Sequence, residues 1–299
     1  MLRCAPVIAA GLLLLATPLA AAECLKPIRD YGYDHGRYAP AHADGQGADS
    51  LHKFGGYWSL FDGNDDDDGE LDSALAKGTP VWVAHEIRAW KDSPGYGGQD
   101  CIPTGERPRP WCTDDGLAQL KIAPTDDSYA YPQKYRRSGY DWYVRGHLAM
   151  KLLVERMGTD AAWNTHTMLN AVPQRGQFNG GIWLDLEYRT GQWAEKFGKV
   201  WVIAGPIYVG GVTTYAIGTD DEFRVAVPPA LFKVVVREGE TPARPEVLAF
   251  IYPQVGPGYR KSSNTPYDHT RFLTSVDEIE ELTGRDRPEF VPIPPCCEN

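Results

Sequence analysis

Four short apolar runs, residues 81–87, 200–204, 231–236 and 247–251, limit what this chain can fold into more than any other feature of it. Each is rich in Val, Ile, Phe or Trp, and the first follows directly on the turn chemistry of Lys77-Gly78-Thr79-Pro80. Such runs read as β-strands. Between the first and the second, Ile182, Leu186 and Trp193 recur near helical spacing until Gly198 interrupts them, which predicts a helix over 178–197. Ser275 and Glu278 form a capping box for a second, shorter helix over 276–282, ended by Gly284. The expected class is α/β in its α+β form, a mixed central β-sheet with flanking helices. Residues 23–49 carry neither periodicity and read as an irregular lead-in, while the Gly and Pro density of 93–110 predicts a long surface loop.

Met1-Leu2-Arg3, the apolar run 7–15 and the small residues up to Ala22 have the layout of a secretory signal peptide, with cleavage expected after Ala22. The run is too short to span a bilayer comfortably, so a periplasmic or secreted protein without a membrane partner is expected. Cys4 departs with the leader, leaving Cys24, Cys101, Cys112, Cys296 and Cys297 for an oxidising space. Cys101 and Cys112 are close enough in sequence to staple one loop, Cys24 could tie the amino end to the Cys296-Cys297 tail, and the odd number leaves one thiol over. Without a Cys-x-x-Cys pair, neither a structural zinc site nor a thioredoxin-like centre is expected.

A net charge of −10 counts against a polyanion partner, because non-specific affinity for nucleic acid rests on Lys and Arg. The charge is unevenly spread. Residues 131–200 hold ten Lys/Arg against six Asp/Glu, a local excess of four positive charges. The stretch from Asn64 through Asp65-Asp66-Asp67-Asp68 to Gly69, Glu70 and Asp72 begins with calcium-loop spacing. Leu75 stands where such a loop places its bidentate Glu, so a solvated acidic loop is the expectation.

Within the basic stretch lies Arg145-Gly146-His147, which taken alone reads as a structural histidine. It is followed by Asn170-Ala171-Val172-Pro173-Gln174 and then by Asn179-Gly180-Gly181-Ile182-Trp183-Leu184-Asp185-Leu186-Glu187. In this order the three segments make the chain resemble the DNA/RNA non-specific endonuclease family, nucleases of the ββα-metal fold. The family's landmarks are an Asp-Arg-Gly-His motif, an Asn-x-x-Pro-Gln segment and an Asn-x-Gly-x-Trp-x-x-Leu-Glu helix. The similarity continues through 202–208, 227–234 and 272–280, and covers roughly 78–286.

The resemblance implies a division of labour that phosphodiester hydrolysis itself requires: a base for water, positive charge on the phosphate, and stabilisation of the leaving oxygen. His147 becomes the general base, since imidazole titrates near working pH. Asn179 becomes the one direct protein ligand of a single Mg2+ that keeps its other waters, with Mn2+ as a substitute. Glu187, eight residues on and about 80° round the same predicted helix, holds a metal-bound water. Asn170 fixes the site geometry, Arg145 neutralises the scissile phosphate, and Arg109 is a further phosphate contact.

Two positions depart from the family pattern. Val144 stands where the family has Asp, and Asp141 could replace that carboxylate only through a bulge. Gly191 stands where an arginine is expected, with Arg189 as the nearest substitute. The expected layout is a leader over 1–22, an irregular segment over 23–76, an endonuclease domain over 77–290 and a Pro/Cys-rich tail over 291–299. The function expected is Mg2+-dependent, sugar-nonspecific endonucleolytic hydrolysis of DNA and RNA. The alternative, motivated by Val144, is a nucleic-acid-binding protein of the same fold with little or no turnover.

Overall fold

The computed structural model describes residues 24–40, 50–61, 77–94, 107–113, 124–129, 143–208, 216–218, 222–241, 244–255 and 266–283. The leader, the acidic loop at 64–72, Cys101, Asp141, Gly284 and the Cys296-Cys297 tail lie outside these residues. In chain order the regular elements are β1 (Ser50–Phe54), β2 (Tyr57–Phe61), β3 (Pro80–Arg88), β4 (Tyr143–His147), α1 (Lys151–Val154), α2 (Thr159–Trp163), β5 (Ala171–Arg175), α3 (Leu184–Phe197), β6 (Lys199–Ile207), β7 (Ala216–Ile217), β8 (Val225–Ala226), β9 (Ala230–Arg237), β10 (Glu246–Pro253), β11 (Leu273–Thr274) and α4 (Val276–Thr283).

The four apolar runs become β3, β6, β9 and β10, the middle of a seven-stranded sheet in the order β1-β2-β3-β6-β9-β10-β11. The central sheet with flanking helices stands as expected, but every pairing in it is antiparallel rather than mixed. The return from β9 to β10 shows why: it is shorter than the crossover that a parallel pair needs. β4 pairs with β5, and β7 with β8, in two separate ribbons.

Residues 23–76, expected to be irregular, supply β1 and β2. Phe54 pairs with Tyr57 across Gly55-Gly56. Close packing requires glycine at both turn positions, since a Cβ on Gly55 would lie 2.4 Å from the Arg29 carbonyl oxygen and one on Gly56 2.3 Å from Val154 Cγ1.

Period-two alternation divides the core. Val200, Val202 and Ala204 of β6 pack on the side of α3 with Leu186 and Ala194, whereas Trp201 and Ile203 pack on the other side with Val276 and Ile279 of α4. The helix expected over 178–197 is not continuous. A single turn at Gly176–Phe178 runs into a wide π-type turn, Asn179–Trp183, where Gly181 leaves helical backbone (φ −112°, ψ −114°), and regular helix begins only with α3. Gly198 closes α3 at φ 87°. At α4 the Ser275 hydroxyl accepts the Glu278 N–H at 3.1 Å. The Glu278 carboxylate takes the Thr274 hydroxyl, so only half of the expected box forms.

The disulfide joins Cys24 to Cys112, with Cα atoms 5.5 Å apart, and matches neither expected pairing. Both cysteines are docked on the end of α2 and the segment that follows it: Trp163 Nε1 donates to the Cys24 carbonyl, and Cys112 bridges Thr167. Among the described residues no helix is long and apolar enough to cross a membrane.

Candidate active site

The β4–β5 ribbon sets Tyr143 opposite Arg175, Val144 opposite Gln174, Arg145 opposite Pro173 and His147 opposite Ala171. His147 is therefore the last residue of its strand, and its backbone is held from two sides. Trp183 Nε1 donates to the His147 carbonyl at 3.3 Å. Fully buried Asn170 fixes the chain just beyond: its Oδ1 accepts the Ala149 N–H at 2.8 Å, and its Nδ2 donates to the carbonyls of Ala149 and Thr165, both at 3.0 Å. This closed amide arrangement positions the histidine and leaves Asn170 no group for a substrate.

The His147 ring packs against Trp111 at 4.7 Å and His166 at 4.9 Å between centroids. Its Nε2 is shut off from solvent and has no hydrogen-bond partner among the described residues. With Nε2 shut in and His147 lining a cavity, Nδ1 is the nitrogen available for proton transfer. Burial, followed by the positive or ring neighbours His166, Arg107 and Lys151, holds the His147 pKa well below the usual imidazole value. The ring is then neutral at neutral pH, the state in which it can accept a proton. His166 is pushed down to about 4, by burial first and then by Arg107 and Lys151.

His147, Asn179 and Glu187 share the wall of a cavity of about 380 Å³, together with Arg107, Lys151 and Glu155. Asn179 Nδ2 donates to Gln174 Oε1 at 2.6 Å, which leaves the amide oxygen as its remaining donor atom for a cation. Glu187 is buried, and its Oε1 lies 3.7 Å from Lys233 Nζ, a contact of charges too long for a hydrogen bond. Burial raises the Glu187 carboxyl to about 7, against the lowering effect of Lys233, and lowers the Lys233 ammonium to about 8. Among the described residues no three His, Cys, Asp or Glu side chains gather as a metal cage. An amide oxygen with two carboxylates in the same walls is instead a donor set for a cation that keeps most of its waters.

None of the three arginines expected at the phosphate is among the described residues that line this cavity. Arg109 is exposed. Arg145 Nη1 pairs with Asp126 Oδ1 at 3.1 Å and stacks over Trp111 and Tyr129, and Arg189 Nε pairs with Asp185 Oδ2 at 2.7 Å. For the latter two a nearby carboxylate satisfies the guanidinium. The cations that line the cavity are Arg107, two residues before Arg109, and Lys151, paired with Glu155 at 3.4 Å. Residue-by-residue reading did not single out these three, nor Gln174 as the holder of Asn179, although Gln174 lies inside a quoted motif.

Both departures from the pattern have local explanations. A Cβ on Gly191 would meet Leu153 Cδ2 at 2.8 Å and Arg156 Nη2 at 3.3 Å, so an arginine there would have to displace the ends of both side chains. Val144 faces Gln174, whose Nε2 is buried without a partner among the described residues. Cross-strand neighbours on one face have Cβ atoms about 5 Å apart, so Val144→Asp is expected to give that Nε2 an acceptor and stabilise the fold by about 1 kcal/mol. Thermal denaturation measures this, and a lowered melting temperature would show that the position demands an apolar side chain.

The model of the family described as DNA/RNA non-specific endonuclease matches residues 70–291. A zebrafish (Danio rerio) protein named Nuclease EXOG, mitochondrial, is 28% identical over 217 residues, which are 69% of this chain and 54% of that protein. A Saccharomyces cerevisiae protein named Mitochondrial nuclease is 31% identical over 188 residues, 54% of this chain and 52% of its own length. A Nostoc protein named Nuclease is 28% identical over 220 residues, 71% of this chain and 67% of its own. The chain thus spans about half the length of these mitochondrial relatives. A solved chain from an EndoG/EndoGI complex shares the fold with a TM-score of 0.52 and 22% identity, covering 81% of this chain and 88% of that one. The expected periplasmic or secreted location is corrected by these matches, since relatives from zebrafish, yeast and Caenorhabditis elegans bear mitochondrial names.

Proposed function

We propose, from the premise that the chain belongs to the DNA/RNA non-specific endonuclease family, that it hydrolyses phosphodiester bonds of DNA and RNA in the His147 cavity with the help of magnesium. The observation that carries this reading is the convergence of a neutral imidazole, an amide oxygen and a buried carboxylate in the walls of one cavity that Arg107 and Lys151 also line.

Arg107 and Lys151 draw the phosphate into the cavity and offset its charge. His147 Nδ1 takes a proton from the attacking water as its oxygen bonds to phosphorus, and the bond to the departing sugar oxygen breaks, with solvent returning a proton to that oxygen. Asn170 and the Trp183 indole keep the imidazole aimed through this step. Asn179 Oδ1 and the Glu187 carboxylate are the groups that would hold a hydrated magnesium; when bound, magnesium supplies positive charge to the phosphate and the leaving oxygen. Manganese fits the same donor set. Lack of a base contact in such a chemistry accounts for the absence of sequence preference, because every step acts on the backbone.

Purified protein incubated with supercoiled plasmid and with RNA tests the reading. Both polymers are expected to be cut in magnesium and neither in chelator. Gel retardation of both without any cutting would make the protein a binding module of the same fold, the reading that Val144 motivates.

A further inference from the structure

We infer that Lys233 is a positioning residue of this cavity, holding the Glu187 carboxylate in place through a buried ion pair seated on Trp183. The inference rests on the proposed function only for what Glu187 does; the pairing itself is a property of the fold.

Lys233 interrupts the apolar run 231–236 of β9, is 1% exposed, and lies in register with Ala204 and Phe250 at the centre of the sheet. Its ammonium is 3.7 Å from Glu187 Oε1 and 3.9 Å from the centre of the Trp183 ring. Trp183 in turn donates its indole N–H to the His147 carbonyl. One cation thus touches both the carboxylate wall and the side chain that steadies the base. Among the described residues Lys233 alone lies within ion-pair distance of Glu187. Lys151, Glu155 and Arg107 stand in the walls of the same cavity, and His85, from β3, is kept neutral by burial and by Lys233.

Stability of the fold is not a sufficient reason for a lysine at this place. A buried ion pair replaced as a pair by neutral groups of similar volume is often neutral or stabilising, whereas removing one partner strands the other charge. A lysine at the sheet centre is therefore explained by what it does for Glu187. Without it, Glu187 Oε1, which accepts no hydrogen bond among the described residues, would lose the cation that fixes where the carboxylate points, and with it the placement of a cation's water.

Three variants test the assignment: Lys233→Met, Glu187→Gln and the double substitution. Lys233→Met is expected to lower kcat about 10- to 100-fold and raise the magnesium concentration needed for half activity, the usual range when a group behind a metal site is lost, with KM for nucleic acid unchanged. In the Glu187→Gln background the same change should cost less than about twofold, because the lysine then has no carboxylate to act through. Mn2+ binding in the absence of substrate, followed by electron paramagnetic resonance, should weaken about 10-fold or more in Lys233→Met. That readout holds whether or not the protein cuts nucleic acid, so it separates failure of this inference from failure of the functional reading. If stranding Glu187 prevents the single variant from folding, the double variant is expected to fold and to match Glu187→Gln in rate. Unchanged Mn2+ binding, an equal kcat loss in both backgrounds, or a double variant melting far below the wild type would each overturn the assignment, the last by showing that Lys233 serves packing.

Discussion

His147→Ala is expected to reduce turnover by about 10²- to 10⁴-fold on both DNA and RNA while leaving gel-shift affinity nearly unchanged. The asymmetry follows from where the residue sits. Its carbonyl and the backbone beyond it are held by Trp183 and Asn170, so truncating the ring at Cβ leaves the strand in place. Phosphate attraction comes from Arg107 and Lys151, which the substitution does not touch. What disappears is the neutral Nδ1 that accepts the proton. Single-turnover rates and binding isotherms on the same preparation read the two effects separately, and a variant that cuts at the wild-type rate would remove His147 from the reaction.

Asn179→Ala should be comparably damaging but by a different signature. The side chain is held by Gln174 through its nitrogen, so its oxygen is oriented by the fold rather than by a bound cation. Loss of that oxygen is expected to lower rate by at least about 10²-fold and to weaken the magnesium response, because a hydrated ion with one direct protein ligand loses its anchor. The measurement is rate against magnesium concentration, together with binding of Mn2+ followed by electron paramagnetic resonance in the absence of substrate. An unchanged titration curve would show that the cation is held elsewhere.

How much of this was legible depended on whether the physics was local. Runs such as 231–236 announce strands because nearly every side chain is apolar, and they appear as β9 and its neighbours. The β1–β2 hairpin was missed because its strands are short and carry His52 and Lys53, and the need for Gly55 and Gly56 arises from Arg29 and Val154, distant in sequence. His147, Asn179 and Glu187 were legible because contiguous motifs carry them, and the structure brings all three to one cavity. The arginines were not. Which guanidinium reaches a cavity depends on the nearest carboxylate in space, and for Arg145 that is Asp126, on a segment no periodicity tied to β4. The disulfide failed for the same reason: it follows from two segments docking on residues 163–167. Lys233 was visible as a single charge in an apolar run, but its partner lies across the core on α3.

The central claim is that one cavity acts on both polymers, and competition measures it most directly. Plasmid nicking in magnesium is followed while unlabelled RNA is added over a range spanning its own KM. The account predicts competitive inhibition, with an inhibition constant equal to the KM for RNA measured alone, since both backbones occupy the space beside His147. RNA that is cut in the same tube without slowing the nicking of DNA would contradict it.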